Sequence, residues 1–406
     1  MKCRVAVTGI GLVTALGSTR EESWRGMLAG ECGIRPVTVF DPSGYRSRVA
    51  AEVCMPPVDA RIAPIKLRRH SRGDRIGVGA ALEAITDAGF LDSPFDPSRV
   101  GIFFGAGTGD LLRNEDFYRT WIEDGLDRTK PSDTWNHPLS TPVDVVAERF
   151  GFEGPRGCIV AACSSSTIAI GRAVEAIRGG RADIVLTGGT DALARLTFTG
   201  FNLLRLMDTE PCRPFDRGRA GMNIGEGAGV LVLETLESAR RRGAHIYAEL
   251  TGHALGCEAR HPTAPEPEGR TIATVIGLAL ADGSVDVSEV DHVNAHGTAT
   301  QQNDISEARG FQRVFGDRTV GLPVTSVKSM VGHCLGASGA VEAAVLALTI
   351  ERGIIPPTIH HEETDVECPV SVVANQARET RVRVGVSTSL GFGGNDSAIV
   401  MRAIDA

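Results

Sequence analysis

Along the chain, short β-branched runs alternate with alanine-rich stretches of helical period, the pattern of α/β layering around a largely parallel sheet. The apolar runs predict strands over residues 4–8, 100–104, 159–162, 183–187, 230–234, 247–252, 292–295, 324–327, 384–388 and 397–402. Helical periods cover 21–29, 74–88, 164–178, 271–281 and 337–351. Both halves carry the same rhythm: strand 159–162 runs into Cys163 and a helix, and strand 324–327 runs into Lys328, His333 and a helix after Gly336. The echo reads as an internal duplication, with residues 1–245 bearing a cysteine unit and residues 246–406 a histidine unit, although no residue-level repeat accompanies it. Residues 110–142, rich in charge, Trp and Pro, read as an irregular excursion that caps the fold or meets a second subunit. Residues 258–268, with three prolines and His261, read as a functional loop.

Composition narrows the class. A chain of 406 residues, 42% hydrophobic, buries a large core in more than one domain-sized unit. It holds no apolar stretch of about 18 residues and no leader-like N-terminal layout, so a soluble, cytosolic protein away from membranes is expected. Nine cysteines without a CxxC pair argue against a disulfide framework or structural zinc. A net charge of −8 excludes nucleic acid as the general partner. Against that acidic background Lys66, Arg68, Arg69, Arg72 and Arg75 form a basic cluster, and Arg205 and Arg213 flank another turn-rich region. Such clusters dock acidic proteins or simply face solvent.

Candidate chemistry begins at Cys163, delivered by the run Cys158-Ile-Val-Ala-Ala to the start of a helix. Unpaired N–H groups and the helix dipole favour a thiolate there, and an oxyanion beside it. A cysteine alone is more often a small core hydrophobe. Three further motifs change the balance: Asn294-Ala-His296-Gly-Thr298-Ala-Thr300, Lys328-Ser-Met-Val-Gly332-His333, and Gly391-Phe392-Gly393-Gly394. Each places a polar or glycine-rich segment just after an apolar strand, the edge at which α/β sheets assemble sites.

Together these motifs resemble those of the elongating β-ketoacyl-acyl-carrier-protein synthases, condensing enzymes of fatty acid and polyketide synthesis. The resemblance spans nearly the whole chain, from Val5-Ala-Val-Thr-Gly-Ile-Gly11 to Gly394. It implies a thiolase-like fold of two pseudo-duplicated halves in α/β/α/β/α layers, and decarboxylative condensation of a malonyl thioester with an acyl chain held on Cys163. By the same resemblance His296 and His333 are the histidine pair and Lys328 their support. Asp304 and Glu307 are the accompanying carboxylates, with Glu307 as ion partner of Lys328. The N–H groups of Cys163 and Phe392 form an oxyanion hole, and Phe392 gates the acyl pocket. Thr298 and Thr300 meet the phosphopantetheine arm, Gly391 and Gly393 give it close backbone approach, and Thr108 walls the acyl pocket. Arg68, Arg69 and Arg205 dock an acyl carrier protein, and no bound cofactor or metal is implied.

Departures from the usual pattern stand at Ala161, at Gln301-Gln302-Asn303, and at Asn395-Asp396, where Thr-Asn is usual. They leave fatty acid, polyketide and aryl polyene pathways open. Other readings fare worse. Gly9-Ile-Gly11 lacks the third glycine of a dinucleotide fingerprint, with Thr14 in its place. His360-His361-Glu362-Glu363 does not define a tetrahedral metal site. A thiolase would carry a second cysteine near the C-terminus. A non-catalytic chain-length factor would lack the nucleophile, so an active synthase is expected, as a homodimer or paired with such a factor.

Overall fold

The computed structural model describes residues 3–55, 70–109, 111–134 and 138–404. Its main sheet holds β1 (Val5–Val13), β2 (Val100–Gly105), β3 (Arg156–Ile159), β4 (Ile184–Asp191), β5 (Gly227–Thr235), β6 (Ala248–Cys257), β7 (His292–Asn294), β8 (Pro323–Thr325), β9 (Ser371–Val372), β10 (Val384–Gly391) and β11 (Asn395–Arg402). The helices used below are α1 (Arg20–Leu28), α2 (Arg72–Ala88), α3 (Leu111–Asp124), α4 (Thr141–Phe150), α5 (Ser165–Arg178), α6 (Arg195–Leu203), α7 (Arg270–Asp282), α8 (Gln301–Phe315) and α9 (Ser338–Arg352).

The strand order is β9-β8-β7-β10-β11-β6-β1-β5-β4-β2-β3. Read outward from the β1–β6 junction, the halves match: β1, β5, β4, β2, β3 on one side and β6, β11, β10, β7, β8 on the other. In each half three strands run parallel, β4 with β2 and β3, and β10 with β7 and β8, while the inner pairs are antiparallel. Thus β3, which leads to Cys163 and α5, corresponds to β8, which leads to Lys328, His333 and α9. The duplication legible in the sequence is a duplication of topology.

Helices α5 and α9 pack on each other, and each touches strands of both halves, so they form the middle layer. Outside, α2 covers β1 and β5 while α7 covers β6 and β11, completing five layers. Covered on both faces, β1 and β4 are buried at every position, so neither shows the alternation of a strand with one wet face, although β4 ends in the polar run Thr187-Gly-Gly-Thr-Asp191. The motif Gly9-Ile-Gly11 serves this packing: a Cβ at Gly11 would lie 1.8 Å from the Ala80 carbonyl oxygen of α2. Close helix–strand approach, not a dinucleotide, explains those glycines.

The structure corrects the sequence reading at several elements. The strand expected over 159–162 ends at Ile159, and the chain turns through Ala162, whose φ is +49°. A strand continued to 162 could not swing Cys163 round to the start of α5. Residues 110–142, expected to be irregular, contain α3 and lead into α4, and α6 and α8 were not anticipated either. Helix α8 carries Ile305, Ala308, Phe311 and Phe315 at helical spacing, a signal that was overlooked because its buried face also holds the polar Asn303, Asp304, Ser306 and Glu307. Among the described residues, no helix is long and apolar enough to cross a membrane. The nine cysteines are free.

Candidate active site

Cys163, His296, His333 and Phe392 all follow the C-terminal ends of parallel strands, β3, β7, β8 and β10. The two halves present these edges to each other across the middle layer. Ser164, the N-cap of α5, donates through Oγ to the carbonyl oxygens of Ser389 and Asn395, fastening the cysteine turn of one half to the β10–β11 hairpin of the other.

The Cys163 sulphur lies 3.0 Å from Nε2 of His333. The two imidazoles stand edge to face, ring centroids 5.2 Å apart at 86°. Nδ1 of His333 receives the backbone N–H of Leu335 at 3.1 Å and faces the Ser338 hydroxyl at 2.8 Å. A backbone N–H only donates, so Nδ1 is the acceptor and the proton of the neutral ring sits on Nε2, facing Cys163. His296 turns Nδ1 to Lys328 Nζ at 3.3 Å, and Nζ also donates to the His296 carbonyl oxygen at 2.6 Å. An ammonium donor on Nδ1 likewise leaves Nε2–H for the cavity. Burial, reinforced by Lys328, holds both histidines well below their ordinary range, so both are neutral donors.

Lys328 is paired with Glu342 of α9, not with Glu307. Glu307 is already committed: it accepts the N–H of His296 at 2.7 Å, the N–H of Gly297 at 2.8 Å and the Thr388 hydroxyl at 2.6 Å. Asp304 braces the same segment by accepting from Ala299 and Phe215. Both carboxylates therefore shape the turn that carries His296. Glu342 was missed from sequence, although it is the single charge in the otherwise apolar stretch 338–350.

The resting thiol is protonated, contrary to what the helix N-terminus alone suggests. Burial pushes Cys163 up to about 11, outweighing the nearby Lys328 and the Phe392 N–H directed at the sulphur. The expected donor at Phe392 is therefore in place. The Phe392 ring rests on Phe201 of α6, centroids 5.5 Å apart.

A cavity of about 490 Å³ joins Cys163, His296 and His333 to exposed Arg205, Gln301 and Gln302. Thr298, Thr300, Gly391, Phe392 and Gly393 line it, the two threonine hydroxyls 2.9 Å apart. Its wall includes His261, whose Nδ1 accepts the N–H groups of Thr263 and Ala264, leaving Nε2–H as a donor. Thr108 is not part of this lining. Its hydroxyl and N–H are bound to Asp191, which also accepts from Gly107 and Gly336. Asp191 thus ties the loop after β2 to the turn after His333, a role sequence reasoning did not find. Lys66, Arg68 and Arg69 lie outside the described residues, and Arg72 is turned inward to Glu226 and the Val53 carbonyl oxygen. Arg205 stays exposed at the cavity, with φ +56°.

One nitrogen of each histidine and the Cys163 sulphur lie within 4.8 Å of one another. A metal there would need the Nε2 lone pair of His333, which carries the proton as long as Nδ1 accepts from Leu335. The donor set fits a substrate oxygen better than a cation.

The duplicated five-layer architecture is that of thiolase-like condensing enzymes. The chain belongs to the beta-ketoacyl synthase family: the N-terminal domain model of that family matches residues 2–239 and the C-terminal domain model residues 247–362. It is 38% identical to the tetracenomycin polyketide synthase ketoacyl synthase alpha subunit of Streptomyces glaucescens, over 98% of this chain and 96% of that one. It is 36% identical to 3-oxoacyl-[acyl-carrier-protein] synthase 2 of Synechocystis sp., over 99% and 98% respectively. Among solved structures, the ishigamide ketosynthase/chain length factor superimposes with a TM-score of 0.94 at 35% identity, each chain fully covered. A type II polyketide ketosynthase in complex with its acyl-carrier protein gives 0.93 at 33%, again over both whole chains. The protein is an acyltransferase that forms β-ketoacyl thioesters.

Proposed function

We propose that Cys163 takes an acyl group from a carrier-protein thioester and that a malonyl thioester, losing carbon dioxide between His296 and His333, then extends it. The pair of Nε2–H donors around the cysteine sulphur carries this reading. In acylation the Cys163 sulphur bonds to the thioester carbon and the carrier thiol departs, taking the proton that Cys163 releases. No net proton is exchanged, so a thiol that is neutral at rest is no obstacle. The N–H of Phe392, with that of Cys163, stabilises the tetrahedral oxyanion.

In condensation the carbon–carboxylate bond of the malonyl group breaks and its electrons form an enolate. The Nε2–H groups of His296 and His333 hold the enolate oxygen, each worth about 3 kcal/mol in the transition state. The enolate carbon attacks the acyl carbon and Cys163 leaves as a thiolate beside His333 Nε2–H, then takes up one proton from solvent to restore the resting thiol, so each condensation consumes one proton as carbon dioxide departs. Lys328 keeps His296 in the donor tautomer, and Glu342 balances the lysine. Thr298 and Thr300 meet amides of the incoming arm, and Arg205 meets the acidic carrier protein. No metal or resident cofactor takes part.

The chain acts in the cytosol as a catalytic subunit of a dimer, in fatty acid or type II polyketide or polyene synthesis. Two identical subunits are the expected assembly. Native mass spectrometry of the chain expressed alone decides this: a stable dimer supports it, and a monomer active only with a second, chain-length-factor-like subunit overturns it. For the chemistry, acyl-carrier thioesters should add one acyl mass to the protein, and Cys163→Ala should abolish that adduct. An adduct that survives the substitution rules the reading out.

A further inference from the structure

Asp396 stands in the cavity wall, and the mechanism above makes no use of it. It is the second residue of β11, opposite Leu390 of β10 and Gly256 of β6. Its side chain is 1% exposed, and Oδ2 is buried without a hydrogen-bond partner. Three carboxylates bear on it: Glu258 just past β6, Glu266 in the loop before α7, and Glu307 on α8. Glu258 lines the same cavity, and its Oε2 is also buried and unpartnered.

Other buried acids of this site are treated differently. Asp191 receives three backbone N–H groups and a hydroxyl. Glu307 receives two backbone N–H groups and a hydroxyl. Asp396 receives none of these, and the charges around it are of its own sign. A carboxyl so placed keeps its proton, since ionising it would bury an unsolvated charge among like charges.

We propose that Asp396 is a specificity-determining residue of the condensation. As a neutral acid it offers the thioester arm a donor and an acceptor, and once ionised it acts against extender units that carry a carboxylate. This rests on the reading above, in which an anionic malonyl thioester enters the cavity. The two substrates differ at this wall, because the acyl donor brings no charge to its reacting end and the extender does. Burial, with Glu258 next in weight, pushes Asp396 up to about 8, so its charge forms on the alkaline side of neutrality. Glu307 and Glu342, pushed up to about 7, titrate at lower pH and are shared by every variant below.

The test compares the wild type, Asp396→Asn and Glu258→Gln, each followed from about pH 6.5 to about pH 9.5 by kcat/KM for malonyl carrier thioester and by the rate of self-acylation. In the wild type, condensation should fall roughly tenfold per pH unit beyond the Asp396 titration, mainly through KM, while self-acylation keeps rising. The ratio of Asp396→Asn to wild-type kcat/KM should grow at least about tenfold between pH 7 and the alkaline end. Glu258→Gln removes a like charge, so Asp396 ionises more readily and the alkaline limb moves to lower pH. Parallel profiles for Asp396→Asn and wild type, or a limb that Glu258→Gln leaves in place or moves upward, overturn the proposal. A wild type that self-acylates but never condenses malonyl thioester overturns the reading beneath it instead.

Discussion

The backbone N–H of Leu335 meets Nδ1 of His333 at 3.1 Å, and this one bond decides which nitrogen of the ring carries its proton. The turn after β8 therefore makes His333 a donor toward Cys163 instead of a base. Removing the imidazole should strip enolate stabilisation and spare acyl transfer. His333→Ala is expected to lower malonyl decarboxylation by about 10²–10³-fold and self-acylation far less. Stopped assays of each half-reaction check this, and equal losses would contradict the division of labour.

Glu342 and Lys328 are both 2% exposed at their side chains, so neither has water to fall back on. Glu342→Gln leaves a buried ammonium without its counter-charge and should cost about 3–5 kcal/mol. Chemical denaturation at constant pH measures it. Glu307→Gln, which touches the His296 turn and not the lysine, should leave Lys328 paired and spare this term.

His292 is buried with Nδ1 3.0 Å from the Pro323 carbonyl oxygen, and burial lowers it to about 4. Its folded state gives up the proton more readily than its unfolded state. Stability is therefore full above the unfolded pKa of 6.5 and is lost as pH falls toward 4. In His292→Asn, which keeps a donor in the Nδ1 place, that loss disappears. Over this window the wild type should lose about 3 kcal/mol more than the variant, as read by urea titrations at a series of pH values.

Helices α5 and α9 approach so closely that a Cβ at Gly339 would lie 1.9 Å from the Thr167 hydroxyl. Gly339→Ala should destabilise by about 1–3 kcal/mol through overpacking. Adding Thr167→Ala should recover part of the loss, although it deprives the Ser389 hydroxyl of its 2.7 Å partner. A double-mutant cycle with additive effects would refute the clash.

Arg205 is exposed beside the cavity. Arg205→Glu should raise KM for carrier-borne thioesters about tenfold, leave small soluble thioesters unaffected, and lose most of its effect at high salt. Equal effects on both substrate types would exclude carrier docking there.

Much of the site was legible because His296 and Phe392 come just past a strand end, and Cys163 and His333 sit in the connections between a strand and a long helix. The strand, not the residue, announces the place. What was not legible depends on packing between distant segments. The Thr108 hydroxyl is claimed by Asp191, 83 residues away, which no local pattern reveals. Lys328 found Glu342 because α9 runs through the middle layer, whereas Glu307 looked nearer in motif and was already used by backbone donors. Helices α3 and α8 carry apolar residues at helical spacing, among them Phe117 and Trp121, and Ile305, Ala308 and Phe311, but the charged residues interleaved with them made both segments read as polar loops.

Strands β3 and β8 stand near opposite ends of an unbroken sheet, yet the groups that follow them touch. The sheet is a ribbon folded face to face, and the fold line between β1 and β6 is narrow, joining Val5 to Leu250, Ala6 to Glu249 and Val7 to Ala248. The halves are held together away from that crease, by α5 against α9 and by Ser164 on the Ser389 and Asn395 carbonyl oxygens, so the distance from sulphur to imidazoles is set where the two middle helices meet. Substitutions at the α5–α9 contact can thus retune the spacing of nucleophile and donors while every catalytic side chain stays the same.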